Sequence, residues 1–333
     1  MKALVLGCGS IGLRHIGHLR QLGLSEIEAA DPDFNARERV KAQCGIQADP
    51  DPEQALRRRP DIVLVCTPAA THVPMAIKAL QTGAHGFVEK PLSTRLEGTE
   101  ALVRMARKDG RVVQIGYQLR FHPAMKQAKK ILESGRLGKV LTAHAEFGLW
   151  LEKWWPGRDY RNSYMAKDDK SGGLLLDVSH EIDLMIWLLG SVREVFAYGE
   201  KLSRLEIQGL DAVKILMRMQ EGPLVSLHMD CLQPVYTRGY GLIGSGSALY
   251  WDCPEGRADQ SVGRLRMGGP ASDRLETLPV EGPEQSYVEE LRQFLQSIET
   301  KQPAQVGIDH GLEVLRVTEA VQESIRTGRP VGV

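Results

Sequence analysis

Short apolar runs alternate with amphipathic stretches over the first third of the chain. The runs at residues 3–6, 26–30, 62–66, 86–89 and 112–115 are continuous rather than alternating. Continuous runs are what strands buried on both faces of a parallel sheet require. Between them, residues 11–22, 36–43, 53–58, 72–81 and 96–107 carry a helical period. Gly23, Gly45, Gly83 and Gly110 stand where glycines that end helices belong. Strand–helix alternation with short connections predicts a doubly wound parallel α/β sheet over residues 1–118.

The texture changes after Gly116. A helical stretch at 123–133 leads to a strand at 140–147, an irregular aromatic segment from Trp150 to Tyr164, and an apolar helix at 174–189. Successive strands are expected at 194–199, 212–219, 224–231, 240–243 and 248–251, then helices at 287–298 and 310–325. Strands in a run beside segregated helices predict an α+β domain, residues 119–333, with a large, mostly antiparallel sheet. The helices suffice to cover one face of it. The apolar sets Val213, Ile215, Met217 and Val225, Leu227, Met229 are read as the open face. Such a face predicts a homodimer or homotetramer.

Composition narrows the function classes. Lys plus Arg and Asp plus Glu balance at 42 each in 333 residues, which offers no pull toward nucleic acid or an anionic membrane. The first apolar run is cut by glycines, unlike a signal peptide, and no run reaches the roughly 20 apolar residues of a spanning helix. Cys8, Cys44, Cys66, Cys231 and Cys253 are scattered, without metal-ligand spacing. A cytoplasmic, metal-free protein with reduced thiols is expected.

The candidate chemistry begins at the end of the first strand. Gly7-Cys8-Gly9-Ser10-Ile11-Gly12 matches G-x-G-x-x-G where the motif needs to be, after a strand and opening a helix. Gly7 permits the tight turn, Gly9 admits a pyrophosphate to the backbone, and Gly12 lets helix and strand pack. Asp31 ends the second strand, nineteen positions after Gly12, where a carboxylate accepts from both ribose hydroxyls. It would repel a 2′-phosphate, so NAD is expected over NADP, with Asp33 the alternative ribose ligand. Thr67 and Pro68 close the strand at 62–66, and His72 follows. Lys90 lies in Glu89-Lys90-Pro91, where a proline stops the strand and leaves the lysine at its tip. Ligands bind beyond the strand tips of open α/β sheets. Gly7, Gly9, Ser10, Ile11, Gly12, Asp31, Thr67, Pro68, His72, Glu89 and Lys90 are therefore the expected cofactor-facing set.

These motifs, together with Gly135-Arg136-Leu137-Gly138 and Gly172-Gly173 followed by Asp177, His180 and Asp183, occur in an order that resembles the glucose–fructose oxidoreductase/inositol dehydrogenase (Gfo/Idh/MocA) family. The resemblance spans essentially the whole chain. It implies a Rossmann domain, an open-faced second domain and nicotinamide-dependent redox chemistry on a sugar-like polyol. It also implies that the lysine of Glu-Lys-Pro and a downstream histidine act at the reacting carbon. The chemistry agrees: oxidising a CH–OH carbon needs a base for the hydroxyl proton, for which His180 suits, and an ammonium such as Lys90 to stabilise the alkoxide. The family spacing is Asp-x-x-x-His, whereas this chain has Asp177-Val178-Ser179-His180. Spacings of three and four both place side chains on one helical face. Asp177 could orient the imidazole or bond a second hydroxyl, and Glu181 or Asp183 could share the work.

Two segments, 117–123 and 154–161, are candidates to line the substrate pocket, through Tyr117, Arg120, Trp154, Arg158 and Tyr160 beside Lys90, Asp177 and His180. Aromatic faces with Arg and Asp arms suit a polyhydroxylated ring, and Arg120, Arg158 and Arg161 could instead clasp a carboxylate or phosphate. The irregular tryptophan-rich segment resembles that of relatives in surface-sugar biosynthesis, which hints at a nucleotide-linked or amino sugar. Two other readings stay open: an NAD-retaining glycosidase or lyase working by transient oxidation, and a non-catalytic NAD-binding sensor.

Overall fold

The computed structural model describes the chain apart from residues 155, 156, 158, 168–172, 255, 271 and 273, and the side chains of Tyr164 and Lys167. It divides into two compact units: Met1–Gln118 with Tyr287–Leu315, and Leu119–Ser286 with Arg316–Val333.

In the first unit, strands β1 (Ala3–Leu6), β2 (Ile27–Ala30), β3 (Ile62–Val65), β4 (His85–Glu89) and β5 (Val113–Gly116) form one parallel sheet in the order β2-β1-β3-β4-β5. All residues of β1, β3 and β5 are buried, as continuous apolar runs require. The crossovers run through helices α1 (Ser10–Gln21), α2 (Phe34–Cys44), α3 (Pro52–Arg57), α4 (His72–Gln81) and α5 (Thr99–Lys108). Local chemistry sets their ends. Asp33 accepts from the Ala36 N–H to start α2, and Gly45, at φ 66°, ends it. Asp51 and Pro52 start α3 in the same manner.

The sequence pattern predicts a second domain running from residue 119 to 333. Tyr287–Leu315 instead groups with the first unit. The reason is burial: Leu291 and Phe294, on the helix Ser286–Thr300, join the core of Val5, Ile16, Leu64 and Phe87. Phe294 meets Phe87 edge to face at 5.9 Å.

The second unit is built on nine strands: β6 (Val140–Gly148), β7 (Val192–Glu200), β8 (Ala212–Met219), β9 (Leu224–Asp230), β10 (Thr237–Gly244), β11 (Ala248–Asp252), β12 (Arg264–Gly268), β13 (Glu276–Leu278) and β14 (Val331–Gly332). Their order is β13-β12-β11-β10-β6-β9-β8-β7-β14, antiparallel except for the β6–β9 pair. One face packs against α8 (Gly173–Asp177) and α9 (His180–Leu189), which follow α6 (Pro123–Glu133) and the short α7 (Tyr164–Lys167). The expected single helix at 174–189 is thus two, broken at Val178–Ser179.

The expected open face was also assigned to the wrong side. Val213, Ile215, Met217, Val225, Leu227 and Met229 are each at most 2% exposed, so they form the covered face. Alternation fixes which residues share a face but not which face meets the helices. The other face carries Tyr198, Leu216 and Leu224, more than half exposed, beside Lys214 and Arg218.

Candidate active site

In the first unit, five turns leave the C-terminal edge of the parallel sheet, and four of them carry the expected cofactor residues. The chain runs from β1 to β2 on one side and then to β3 on the other, so the switch point lies between β1 and β3, where doubly wound folds take dinucleotides. Gly7 lies there with φ 95°, and a Cβ on it would stand 2.4 Å from the Cys66 carbonyl oxygen. A Cβ on Gly12 would stand 1.9 Å from the Gly7 carbonyl oxygen. Packing therefore demands glycine at both. Gly9 differs: its φ is −70°, and an added Cβ meets no atom of the described residues within 4 Å. Among the described residues, nothing in the packing asks for glycine at that position. Ser10 and Ile11 form the first turn of α1, whose N–H groups point toward that position.

Asp31 braces this turn. Its Oδ2 accepts from the Cys8 N–H at 2.6 Å and its Oδ1 from the Asp33 N–H at 2.8 Å. Each oxygen keeps acceptor capacity for a ribose hydroxyl. Asp33, the alternative ribose ligand, is instead the α2 cap, and the Ala36 N–H that it accepts from lowers its pKa. Burial, reinforced by Asp31, pushes the Cys8 thiol up to about 12, so the turn presents no thiolate at neutral pH.

An imidazole lies between the turns after β3 and β4. His72, 2% exposed, places Nδ1 2.7 Å from the Pro91 carbonyl oxygen and Nε2 2.7 Å from that of Thr67. Burial lowers the His72 pKa, and the neutral ring donates to one of these two carbonyls at a time, so both ring nitrogens face the protein's own backbone. Thr67 Oγ1 accepts from the Thr71 hydroxyl at 2.8 Å. Glu89 is likewise turned inward: Oε1 lies 2.6 Å from His15 Nε2, and Oε2 accepts from the Lys90 N–H at 3.2 Å. Among the described residues, His15, Glu89 and Glu290 form a buried group whose ligand-type atoms lie within 4.8 Å of one another. The His15–Glu89 contact is short enough to be a direct hydrogen bond. Tyr117, expected at the substrate, is fully buried in this unit.

In the second unit, His180 is the first residue of α9 and 6% exposed. Asp177 is the last residue of α8, across the Val178–Ser179 turn. Asp177 and His180 therefore sit on two different helices and do not share one helical face. Two buried ion pairs pin the first turns of α9. Arg120, 1% exposed, grips Asp183 with Nε at 3.0 and 2.9 Å and Nη2 at 2.5 Å. Arg238 Nε donates to Glu181 Oε1 at 2.7 Å. Burial opposes the charge on Arg238, but Glu181 and Tyr236 outweigh it and raise its pKa. Arg120 thus faces Asp183, and Glu181 faces Arg238.

Arg238 also lies 5.1 Å from the Phe147 ring centre, and Trp154 and Tyr236 meet the same ring edge-on at 5.5 and 6.0 Å. The half-buried Trp154 donates through Nε1 to the Leu149 carbonyl. Tyr160 accepts from the Glu206 N–H at 3.1 Å, and Arg161 is bonded to Asp159 and Glu206. Arg158 lies outside the described residues. Sequence reasoning missed His15, Tyr236 and Arg238. His15 had a signal, since it follows Gly12 by three on the helix face that must meet the sheet. Arg238 had none, being 57 residues from its partner Glu181.

The sequence model of the GFO/IDH/MocA oxidoreductase family, NAD-binding Rossmann fold, matches residues 1–117, and that of the GFO/IDH/MocA C-terminal domain matches 125–249. An uncharacterized oxidoreductase of Bacillus subtilis (strain 168), YrbE, is 29% identical over 344 residues, spanning 99% of this chain and 95% of that protein. Myo-inositol 2-dehydrogenase of Thermotoga maritima is 26% identical over 343 residues, spanning 99% and 98%. The fold is also that of the WlbA dehydrogenase of Bordetella pertussis, solved with NADH and UDP-GlcNAcA, with a TM-score of 0.83, 21% identity, and 100% and 98% of the two chains covered.

Proposed function

Because the chain belongs to the GFO/IDH/MocA oxidoreductase family, with the NAD-binding domain at 1–117 and the family's C-terminal domain at 125–249, we propose that it exchanges a hydride between NAD and a CH–OH carbon of a sugar-like polyol, with Lys90 and His180 at the reacting oxygen. The observation that carries the cofactor half of this reading is the contrast within the glycine turn: Gly7 and Gly12 are required by packing, while Gly9 faces no atom of the described residues. Asp31 supports NAD over NADP, since its carboxylate meets ribose hydroxyls well and a 2′-phosphate badly.

Bound NAD would supply the hydride acceptor, held by the glycine turn and Asp31. The remaining work falls to side chains. The Lys90 ammonium, at the tip of β4, stabilises the negative charge that grows on the substrate oxygen and polarises the carbonyl in reverse. His180 takes the hydroxyl proton, a task suited to an imidazole because it titrates near neutral pH. The Arg120–Asp183 and Arg238–Glu181 pairs keep the first turns of α9 in place, which holds His180 in one orientation. Asp177, at the end of α8, is assigned to a second substrate hydroxyl.

Two of the three candidate arginines favour an uncharged polyol over a carboxylate or phosphate ester. Arg120 and Arg161, both candidates for clasping an anion, already face carboxylates. An inositol or a free sugar is the first class to try, in keeping with the relative named myo-inositol 2-dehydrogenase. A screen of cyclic polyols, free sugars and nucleotide-linked sugars, with NAD and NADP in parallel, tests this by NADH absorbance. NADH formed with a polyol supports the reading. Substrate turnover without net NADH would replace it with a redox-neutral lyase or glycosidase.

Two copies are proposed to pair through the open sheet face around Tyr198, Leu216 and Leu224. Leu216→Glu should then give a monomer by light scattering; a monomeric parent protein would remove the proposal. No helix among the described residues is long and apolar enough to cross a membrane. A cytoplasmic location is proposed on the scattered free thiols.

A further inference from the structure

Lys90 follows directly on Glu89, and neither neighbour of the lysine is loose. Behind it, Glu89 holds the Lys90 N–H with one carboxylate oxygen and His15 Nε2 with the other, at 3.2 and 2.6 Å. Glycine at 116 eases the fit of this inward carboxylate: a Cβ there would stand 3.2 Å from Glu89's carboxylate atoms, which would have to give by a few tenths of an ångström. Ahead of it, the Pro91 carbonyl oxygen lies 2.7 Å from His72 Nδ1, the nitrogen that carries the ring's one proton when His72 donates to this turn, and the Thr67 carbonyl oxygen lies 2.7 Å from Nε2. His15, His72 and Glu89 are 0%, 2% and 7% exposed. Each imidazole is rooted beside a turn that meets the dinucleotide, His15 in the helix opened by the glycine turn and His72 just after Thr67-Pro68.

We infer that His15 and His72 are positioning residues for Lys90, tying the lysine turn to the glycine-turn helix on one side and to the Thr67-Pro68 turn on the other. The inference rests on Lys90 acting at the cofactor crevice. Its content is that the dinucleotide seat and the lysine share one rigid frame. A bond that favours the loaded geometry at one must favour it at the other, since such coupling is reciprocal. Catalytic contact is not assigned to either histidine.

The test reads Lys90 itself. The full-length protein, with and without saturating NAD, is acetylated with limiting acetic anhydride, and the rate at Lys90 relative to the other lysines is read by peptide mass spectrometry. Thermal melting is recorded in parallel. His15→Leu and His72→Leu should each change the relative rate at Lys90 by at least about threefold, the scale of one lost net hydrogen bond. His15→Gln, whose amide N–H can still reach Glu89, should restore it. A lower melting temperature with Lys90 reactivity unchanged would make the histidines merely structural and overturn the inference. Should the leucine variants fail to fold, ring nitrogen spectra of the unmutated protein decide. They should show a proton on His15 Nε2; a bare Nε2 would overturn the tether. Lys90→Ala turnover is measured separately, so that loss of the lysine's chemical role and loss of its tether are distinct results.

Discussion

Replacing Gly9 and Gly12 separately by alanine divides the glycine turn into a part that folds the protein and a part that meets the cofactor. At Gly12 the new Cβ stands 1.9 Å from the Gly7 carbonyl oxygen, against 3.4–4 Å for ordinary contact. The obstacle is backbone, so α1 must move away from β1 by more than an ångström. Overpacking of that kind costs about 1–3 kcal/mol, or roughly 5–150-fold in the folded-to-unfolded ratio. At Gly9 the backbone is already at φ −70°, which alanine adopts, and the new methyl meets no atom of the described residues. Stability should change by no more than about 1 kcal/mol there, the scale of an altered N-cap. A methyl that holds a pyrophosphate off the N–H groups should instead cost about 1.5–3 kcal/mol of binding, the value of a hydrogen bond to a charged group. That is about 10–150-fold in NAD affinity. Calorimetric NAD titration and a urea melt of each variant separate the two effects. Unchanged NAD affinity in Gly9→Ala would refute the assignment of this turn to the pyrophosphate.

Three further expectations address individual side chains. Arg120→Met should destabilise the second unit by about 3–5 kcal/mol because it removes the guanidinium that the buried Asp183 carboxylate faces, and Arg120→Met with Asp183→Leu should recover most of the loss in a urea melt. A fall in substrate affinity with no change in stability would return Arg120 to the substrate. Asp31→Ser should lower the preference for NAD over NADP by roughly tenfold or more by removing a like charge from the 2′-phosphate; equal preference before and after would clear Asp31 of that role. Burial, then His15 and Arg14, hold the His18 pKa at about 4 rather than 6.5. The unfolded ring takes up a proton below 6.5 that the folded ring refuses until about 4, so stability should fall as pH drops through that window. In His18→Asn, melts between those pH values should show a smaller decline; an equal decline would assign it to other groups.

The parallel sheet was legible in the sequence because its strands are buried on both faces and so appear as unbroken apolar runs. The antiparallel sheet was less so. Residues 213, 215 and 217 announce one face, but nothing in the pattern says whether helices or another molecule cover it. Strands β12, β13 and β14 went unseen, being short and, at Arg264–Gly268, rich in arginine and glycine. Asp31 and the glycines were readable because local backbone geometry dictates them. The true partners of Arg120, Glu181 and Asp183 were not, since pairing across 63 and 57 residues leaves no periodic trace. His72 and Glu89 were found as motif members, yet their hydrogen bonds turn them toward the protein rather than toward a cofactor.

The most direct measurement is NADH formation on the best polyol from the screen, by the parent protein, Lys90→Ala and His180→Ala, with NAD affinity measured alongside. Loss of a well-placed ammonium or general base should lower turnover by about a hundredfold or more in each variant, with NAD affinity nearly unchanged. Parent-like turnover in either variant would contradict the account and remove that residue from the chemistry.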